Sequence, residues 1–184
     1  LKFSLQLTFV ELTNININGN QALNYVATKP SESLHLNLPL NEIPQNIAVT
    51  THQLLADQGL LSMSAAIRTV SGVEKTYGGL NDYTLIIRGT DANWGVFRNG
   101  VGGYWWNQQE DVAMLEKIEF VKGPAGFMIS MAQPGGIVNN VTKQPTKERI
   151  AGIEAAVGSY NLMRLTTDCG GSMDKKGNFS YRFN

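Results

Sequence analysis

Residues 115–124 read Leu-Glu-Lys-Ile-Glu-Phe-Val-Lys-Gly-Pro. Its centre, residues 118–121, contains Ile, Phe and Val, the β-branched and aromatic residues that favour a strand. Glu119 lies within this apolar run, and Lys117 and Lys122 lie directly beside it. The stretch therefore predicts a strand that carries charges into or next to an apolar layer.

The segments around this strand alternate between short elements and glycine-rich loops. Asn99-Gly100 is the strongest short hairpin signal in the sequence. Two short helices are predicted, at residues 52–58 after the N-cap Thr51 and at residues 63–68 after the N-cap Ser62. Strands are predicted at residues 44–49, 83–88, 95–98, 114–122 and 136–142.

After Pro145 the pattern changes to strict alternation of apolar and polar residues. Three successive segments show it, residues 151–158, 163–169 and 179–184, and short turns join them. Such alternation matches a membrane β-barrel, in which one face of each strand meets lipid and the other meets a polar lumen. The edge of a soluble antiparallel sheet has the same period, so the pattern alone leaves both structures open.

Composition and charge exclude several classes of function. The 184-residue chain has 15 Lys and Arg against 15 Asp and Glu, and this neutrality argues against nucleic acid as a partner. A single Cys excludes a disulfide framework, and the two His residues lack metal-ligand spacing. No G-x-S-x-G occurs, and Glu116 and Glu119 would need a cleft to act as paired carboxylates. We therefore predict no catalytic site, no metal site and no enzyme activity.

Seven short elements follow one another along the middle of the chain. They are residues 40–47 (LNEIPQNI), 71–73 (SGV), 87–89 (IRG), 98–100 (RNG), 115–124 (LEKIEFVKGP), 134–139 (PGGIVN) and 141–145 (VTKQP). In their identity and order they resemble the plug domain of TonB-dependent outer-membrane receptors, with Asn99 in place of the common Asp. The sequence is most similar to the siderophore-receptor type.

The resemblance implies an α+β plug, a mixed β-sheet with short helices, followed by the first antiparallel strands of a transmembrane β-barrel. Three domains follow from it: an N-terminal tether at residues 1–38, the plug at residues 39–146, and about three barrel strands at residues 147–184. Three strands cannot close a barrel, and an open sheet leaves backbone groups unpaired in lipid. The chain is therefore expected to be incomplete, either a piece of a longer receptor or the product of a truncated gene.

The function that the resemblance implies is uptake of a ferric siderophore across the cell outer membrane, with the plug gating the barrel. Its implied partners are the siderophore, outer-membrane lipid, and TonB with its inner-membrane energising complex. Iron would enter as part of the ligand, and no cofactor is expected. Two alternatives stay open: a plug for other cargo such as cobalamin, haem or an oligosaccharide, and a soluble periplasmic binding or signalling module.

Aromatic side chains on loops, together with a few hydrogen-bond donors, suit an oxygen-rich and partly apolar ligand. In the family such residues fall in the loops after the SGV, IRG and RDG elements. The residues predicted to face the ligand are Tyr77, Trp94, Tyr104, Trp105, Trp106 and Gln108. The alternative is that one or two of these rings pack the plug against the barrel wall. For Met128, Met131 and Gln133, plug–barrel packing is the predicted role, since methionine fills irregular gaps.

Four charges beside or within the strands are predicted to have a structural or gating role: Arg88, Arg98, Glu119 and Lys122. We expect them to form ion pairs with one another and with acids of the barrel wall. Such pairs hold the plug and are costly to break singly, yet they can be exchanged during transport.

The segment that contacts TonB is predicted to lie before the plug. The candidate is residues 23–28, which comprise Leu23, Asn24, Tyr25, Val26, Ala27 and Thr28 and have extended character. Residues 8–12 are the rival candidate. Strand addition is the expected mode of pairing. The glycines Gly123, Gly135 and Gly136 are predicted to supply positive φ angles or a close backbone approach.

Overall fold

The computed structural model describes residues 25–27, 38–75, 85–102, 110–124, 133–174 and 176–184. Within these ranges the α-helices are α1 (His52–Asp57) and α2 (Met63–Ala66), and the 3-10 helices are Leu40–Glu42, Ile67–Thr69 and Val112–Met114. The strands are β1 (Asn46–Thr51), β2 (Val73–Lys75), β3 (Leu85–Ile87), β4 (Thr90–Asp91), β5 (Val96–Arg98), β6 (Val101–Gly102), β7 (Leu115–Lys122), β8 (Gly136–Thr142), β9 (Ile150–Gly158), β10 (Leu162–Ser172) and β11 (Ser180–Phe183).

Both α-helices begin at the N-caps that the sequence predicts. The Thr51 hydroxyl accepts a hydrogen bond from the Leu54 N–H at 3.3 Å, and the Ser62 hydroxyl accepts one from the Ala65 N–H at 3.2 Å. Each cap satisfies an N–H that has no partner within the first helical turn. The second helix is shorter than predicted, because its last turn tightens into the 3-10 helix Ile67–Thr69.

Five strands form the central sheet, in the order β1-β7-β8-β5-β6. All neighbours are antiparallel except β5 and β8, which run parallel. The strand predicted from residues 115–124 is β7, which pairs with β1 on one side and with β8 on the other. A small sheet has the order β2-β3-β4. The prediction of a mixed sheet with short helices is therefore confirmed.

Several strand boundaries differ from the prediction by one or two residues, and two of the differences have a clear local cause. The first strand begins later, at Asn46, because the Gln45 N–H donates to the Ile43 carbonyl at 2.8 Å in a tight turn before the sheet. The strand predicted at residues 83–88 ends at Ile87, because Arg88 takes a positive φ of 52° in the turn to β4. A positive φ is incompatible with an extended strand, so the ladder stops there.

The main hydrophobic core lies on one face of the central sheet. Ile118 and Phe120 of β7 are fully buried there, against α1, α2 and the small sheet. On the opposite face Val121 of β7 and Ile137 of β8 pack with Ile43. β7 thus buries side chains on both faces, and its charged residues must find partners inside the protein.

Asn99-Gly100 forms the predicted hairpin between β5 and β6. The φ angles of these residues are 50° and 78°, the type I′ geometry that suits a two-residue hairpin. The Asn99 side chain also binds the end of β8, since its Nδ2 donates to the Thr142 hydroxyl at 2.9 Å and its Oδ1 accepts the Thr142 N–H at 2.9 Å. The hairpin is therefore anchored to the C-terminal end of β8.

The last three strands form a separate antiparallel sheet, the terminal sheet, in the order β11-β10-β9. Tyr160 and Asn161 join β9 to β10 with φ angles of 58° and 61°, a second type I′ turn. The third alternating segment gives a strand shorter than predicted, β11, which begins after Phe179.

The two faces of the terminal sheet differ in chemistry. One face carries Arg164, Asp168 and Arg182, which bond with residues before β9 or with one another. The other face exposes apolar side chains. Those with exposures of 69–84% are Ile153, Val157, Met163 and Leu165. The predicted alternation therefore places polar groups toward the central sheet and apolar groups outward.

Candidate functional site

One of the predicted ligand residues, Trp94, lies within the described ranges. It occupies the connection from β4 to β5 and is 54% exposed, whereas Ala92 and Gly95 on either side of it are buried. An exposed ring on buried supports suits a binding role. The other predicted ligand residues lie outside the described residues: Tyr77, Tyr104, Trp105, Trp106 and Gln108. Met128 and Met131 also lie outside them.

Two hydrogen bonds hold the Trp94 loop in place. The Oδ1 atom of Asn93 accepts the Leu85 N–H at 2.9 Å, and the Oε1 atom of Gln133 accepts the Trp94 N–H at 3.3 Å. Leu85 begins β3, and Gln133 precedes β8. The loop is thus attached to the small sheet and to the central sheet at once.

A second polar cluster joins Arg98 to Glu110 on one face of the central sheet. The Nε atom of Arg98 lies 3.1 Å from Glu110 Oε1, and Asn140 Nδ2 donates to Glu110 Oε2 at 2.8 Å. Burial raises the pKa of Glu110 above its ordinary value of 4.5, although Asn140 and Arg98 act in the opposite direction. The partly buried surroundings of Glu110 therefore disfavour its ionised form.

The raised pKa of Glu110 predicts a pH dependence of stability. Because the folded chain holds this proton more tightly than the unfolded chain, the stability that it contributes is present at low pH and is lost as the pH rises through the folded pKa. Relative to Glu110→Gln, which does not titrate, the wild-type protein should gain free energy of unfolding as the pH falls from about 7 to about 4.5, the ordinary pKa of the carboxyl group. Urea unfolding at both pH values measures the difference. A loss of wild-type stability relative to the variant over this pH interval would contradict the raised pKa of Glu110.

A buried ion pair lies on the other face of the central sheet. Lys117 Nζ is 2.9 Å from Glu119 Oε1, and their side chains are 8% and 0% exposed. Asn139 Nδ2 donates to Glu119 Oε2 at 3.4 Å, while its Oδ1 accepts the Gly100 N–H at 2.8 Å. The pair is therefore connected through Asn139 to the β5–β6 hairpin.

Arg88 and Lys122 form a positively charged spot at the end of β7. Lys122 Nζ donates to the Ser71 carbonyl at 2.9 Å, and burial together with the nearby Arg88 charge lowers the pKa of Lys122. The Arg88 guanidinium lies over Gly123, where an added Cβ would be 3.1 Å from its Nη1 atom. Within the described ranges neither cation lies within ion-pair distance of a carboxylate.

The four predicted gating charges do not pair with one another in the described structure. Arg98 pairs with Glu110, and Glu119 pairs with Lys117. The physical reason is the strand order, since β8 lies between β5 and β7 and separates Arg98 from Glu119. Their role in gating, and any pairing with acids of a barrel wall, stay predictions.

The predicted TonB-contacting segment is described in part. Leu23, Asn24 and Thr28 lie outside the described residues, as do residues 8–12. The Tyr25 hydroxyl donates a hydrogen bond to the Asp57 carboxylate, which also accepts from Gln53 Nε2 at 2.8 Å.

Val26 and Ala27, which follow Tyr25, line two cavities of about 810 and 590 Å³. The larger cavity extends to residues 144–148 and to Arg182 of β11. The smaller one runs beside Ile47 of β1. This short segment therefore lies between α1, β1 and the terminal sheet.

Ion pairs fasten the polar face of the terminal sheet to the residues before it. Arg164 bonds with Asp111, and Lys143 Nζ lies 2.8 Å from Asp168 Oδ2. Arg182 donates to both oxygens of Asp168, from Nε at 3.0 Å and from Nη2 at 2.8 Å. Asp168 is therefore the shared anion of two cations that come from different elements.

Asp168→Asn is expected to destabilise the protein by about 2 kcal/mol, because Lys143 and Arg182 would lose a charged hydrogen-bond acceptor while largely buried. Urea unfolding measures the change. The matched control is Glu154→Gln, on an exposed acid of β9, which should cost under about 0.5 kcal/mol. Equal costs for the two variants would show that the Asp168 cluster does not fasten the terminal sheet.

Sequence reasoning misses the acids that organise these clusters, Glu110, Asp111 and Asp168. Their partners are distant in sequence, and no local motif marks them. Asp168 alone has a usable signal, because it falls on the polar positions of an alternating strand. Among the described residues no group of three or more His, Cys, Asp or Glu is placed to hold a metal ion. No helix there is long and apolar enough to cross a membrane.

The region that contains the central and small sheets matches a known family. Residues 39–137 fit the family model described as the TonB-dependent Receptor Plug Domain. The chain belongs to this family. The resemblance carried by residues 115–124 and the other elements is therefore confirmed, and the central sheet, the small sheet and the helices together form the plug.

Several curated relatives match most of this chain. The "Ferric-pyoverdine 358 receptor" of Pseudomonas putida is 30% identical over 95% of this chain and 23% of the relative. The "Ferrichrome outer membrane transporter/phage receptor" of Escherichia coli K12 is 30% identical over 88% of this chain and 23% of the relative. The chain thus spans about a quarter of the length of these relatives.

Solved structures agree with the fold. The alcaligin outer-membrane receptor FauA of Bordetella pertussis has a TM-score of 0.75 and 28% identity, over 90% of this chain and 29% of that one. The ferripyoverdine receptor of Pseudomonas aeruginosa, bound to ferripyoverdine, has a TM-score of 0.77 and 25% identity over 86% of this chain and 22% of that one. The mixed-sheet plug therefore has the architecture of receptor structures.

Proposed function

We propose that this chain forms the plug and the first wall strands of an outer-membrane receptor that imports a ferric siderophore. The observation that carries the proposal is the division of the terminal sheet into two faces. Its charged face is bonded to the plug through Asp111 and Lys143, while its opposite face exposes apolar side chains. A wall strand of a plugged barrel needs this arrangement, because its outer side meets lipid and its inner side meets the plug.

The cargo class is proposed from the relatives. Their names describe receptors for ferric pyoverdine and ferrichrome, and another relative is called a metal-pseudopaline receptor. All of these names describe small chelators that carry a metal, which favours a siderophore over cobalamin or an oligosaccharide. The iron is substrate, and it travels within the chelate.

The plug is proposed to be a gate that TonB operates from the periplasm. Tyr25 is held by one described hydrogen bond, to an exposed carboxylate on α1, so the segment 25–27 can leave the plug at small cost. Arg88 and Lys122 lie close together without a carboxylate among the described residues. We propose that acids elsewhere in the receptor neutralise them and hold the plug closed.

The test uses the complete reading frame that encodes this chain. The product should sediment with the outer membrane and restore uptake of a radiolabelled ferric siderophore to a strain that lacks its own receptors. Uptake should stop when TonB is deleted, whereas binding should persist. A product that is soluble without detergent, or uptake that continues without TonB, would refute the proposal.

A further inference from the structure

His52 lies where the plug meets the terminal sheet. It is the first residue of α1 and follows the N-cap Thr51 at the end of β1. Its side chain lines the 810 Å³ cavity, which extends to Arg182 of β11. It also lines a second cavity of about 30 Å³, together with Glu154 of β9 and Thr166 of β10. The imidazole therefore borders elements of both the plug and the terminal sheet.

One nitrogen of the His52 ring is buried without a partner. Its Nδ1 atom is shielded from solvent and has no hydrogen-bond partner among the described residues. In the neutral ring one nitrogen carries no hydrogen, whereas in the cation both nitrogens are donors. Protonation would therefore add a positive charge and leave a buried N–H that no described residue accepts. These surroundings favour the neutral imidazole.

The charged groups around His52 come from the central sheet, from residues 143–148 and from the terminal sheet, and their signs nearly cancel. They are Glu116, Lys117, Lys143, Lys147, Glu148, Glu154, Arg164, Asp168 and Arg182. The acid of α1 itself, Asp57, bonds with Tyr25 instead. Among the described residues no carboxylate lies within ion-pair distance of the imidazole, so its burial is the main influence on its charge.

The effect of pH on this contact has a definite sign. Burial lowers the pKa of His52 below its ordinary value of 6.5, and Lys143 acts in the same direction, whereas Glu116, Asp168 and Glu154 act in the opposite one. The folded chain therefore holds this proton less tightly than the unfolded chain. The stability that neutral His52 contributes is present above pH 6.5 and is lost as the pH falls through the folded pKa.

We propose that His52 is an acid-sensitive switch at the contact between the plug and the terminal sheet. At neutral pH the uncharged ring packs where α1 meets β9 and β10. In acid the ring takes up a proton, and the contact weakens because the cation is hydrated only where α1 moves away from the strands. This inference goes beyond the proposed function, since it concerns how firmly the plug is held and does not depend on the cargo.

The test is amide hydrogen exchange in the purified product of the complete reading frame, at about pH 7.5 and about pH 5.5, on either side of the ordinary histidine pKa. The amide groups to follow are those of residues 58–60, which donate to carbonyls of α1. Rates are converted to protection factors, because the intrinsic exchange rate also changes with pH. In the wild type these protection factors should fall severalfold at the lower pH.

His52→Gln is the decisive variant, because its side chain is neutral and does not titrate in this range. Its protection factors should be the same at both pH values. The matched control is His35→Gln, the same change at the other histidine of the chain, and it should lose protection in acid as the wild type does. If His52→Gln does not fold, His52→Asn takes its place with the same expectation.

Three results would overturn the switch. They are a wild type that is equally protected at both pH values, an equal loss of protection in the wild type and in His52→Gln, and a loss that His35→Gln abolishes. None of these measurements involves a siderophore, so a failure of the switch leaves the proposed function standing. Conversely, a receptor product that imports no ferric chelate, yet loses protection in acid through His52, would overturn the proposed function alone.

Discussion

Gly136→Ala is expected to destabilise the plug by about 4 kcal/mol, a large part of the stability of an ordinary domain. Gly136 has a φ of +134°, and an added Cβ would lie 2.1 Å from the Val121 carbonyl oxygen. Both strands of the β7–β8 ladder would have to move apart, because the contact is with backbone and no side chain can yield. Urea unfolding, together with protease susceptibility of the plug, measures the loss.

Gly59→Ala is the matched control for Gly136→Ala. Gly59 also has a positive φ, of +62°, but nothing lies within 4 Å of its added Cβ. It should therefore show only the backbone strain, about 1–2 kcal/mol. Equal losses of stability in the two variants would mean that the close approach at the start of β8 is not what requires glycine at residue 136.

Local structure could be predicted from the sequence wherever a residue's own chemistry dictates the backbone. Thr51 and Ser62 start helices because their hydroxyls accept nearby N–H groups. The predicted special roles of Gly123, Gly135 and Gly136 are confirmed by φ angles of 105° and 134° at the first and third, and by an added Cβ at Gly135 that would lie 2.6 Å from the Ile87 carbonyl. The helix caps act over a few residues, and the glycines are required because any side chain would clash or strain the backbone. Both effects can be read from the local sequence.

Long-range pairing could not be predicted in the same way. The partner of Arg98 is Glu110. The parallel pairing of β5 with β8 places Asn140 beside Arg98, and Asn140 donates a hydrogen bond to the same Glu110 carboxylate. Periodicity identifies both strands but says nothing about which strand lies beside which. The partners of these charges therefore depend on the strand order. The prediction that Arg88, Arg98, Glu119 and Lys122 pair with one another could not include that order, because the sequence does not show it.

The exposure of Trp94 could be predicted from the sequence, but its connection to Gln133 could not, and its ligand-binding role stays a prediction. Aromatic residues on loops pointed to Trp94, which is exposed as a binding residue should be. Gln133 gave no such signal, because its significance comes from a hydrogen bond to a residue 39 positions away. A single polar residue before a Pro-Gly-Gly turn has many ordinary explanations, and only the contact between the loops distinguishes among them.

Glu119→Ala is expected to destabilise the plug by about 3–5 kcal/mol, because it leaves the nearly buried Lys117 ammonium without the carboxylate 2.9 Å away. The double variant Lys117→Met, Glu119→Leu removes both charges and should lie within about 1 kcal/mol of the wild type. Urea unfolding of Lys117→Met, of Glu119→Leu and of the double variant completes a double-mutant cycle for the pair. The control on the same strand is Glu116→Ala, whose exposed carboxylate is 3.9 Å from Arg182 and should cost under about 1 kcal/mol.

The same double variant distinguishes a structural role of Lys117 and Glu119 from a role in gating. If exchange of this buried pair is part of gating, a plug with apolar residues at both positions should bind the ferric siderophore normally and import it about tenfold more slowly, which corresponds to about 1.4 kcal/mol of barrier. Binding titrations and initial uptake rates, measured on one preparation of cells, give the two quantities. Uptake at the wild-type rate, with a stable plug, would assign Lys117 and Glu119 to structure alone, and gating would then have to depend on other charges such as Arg88 and Lys122.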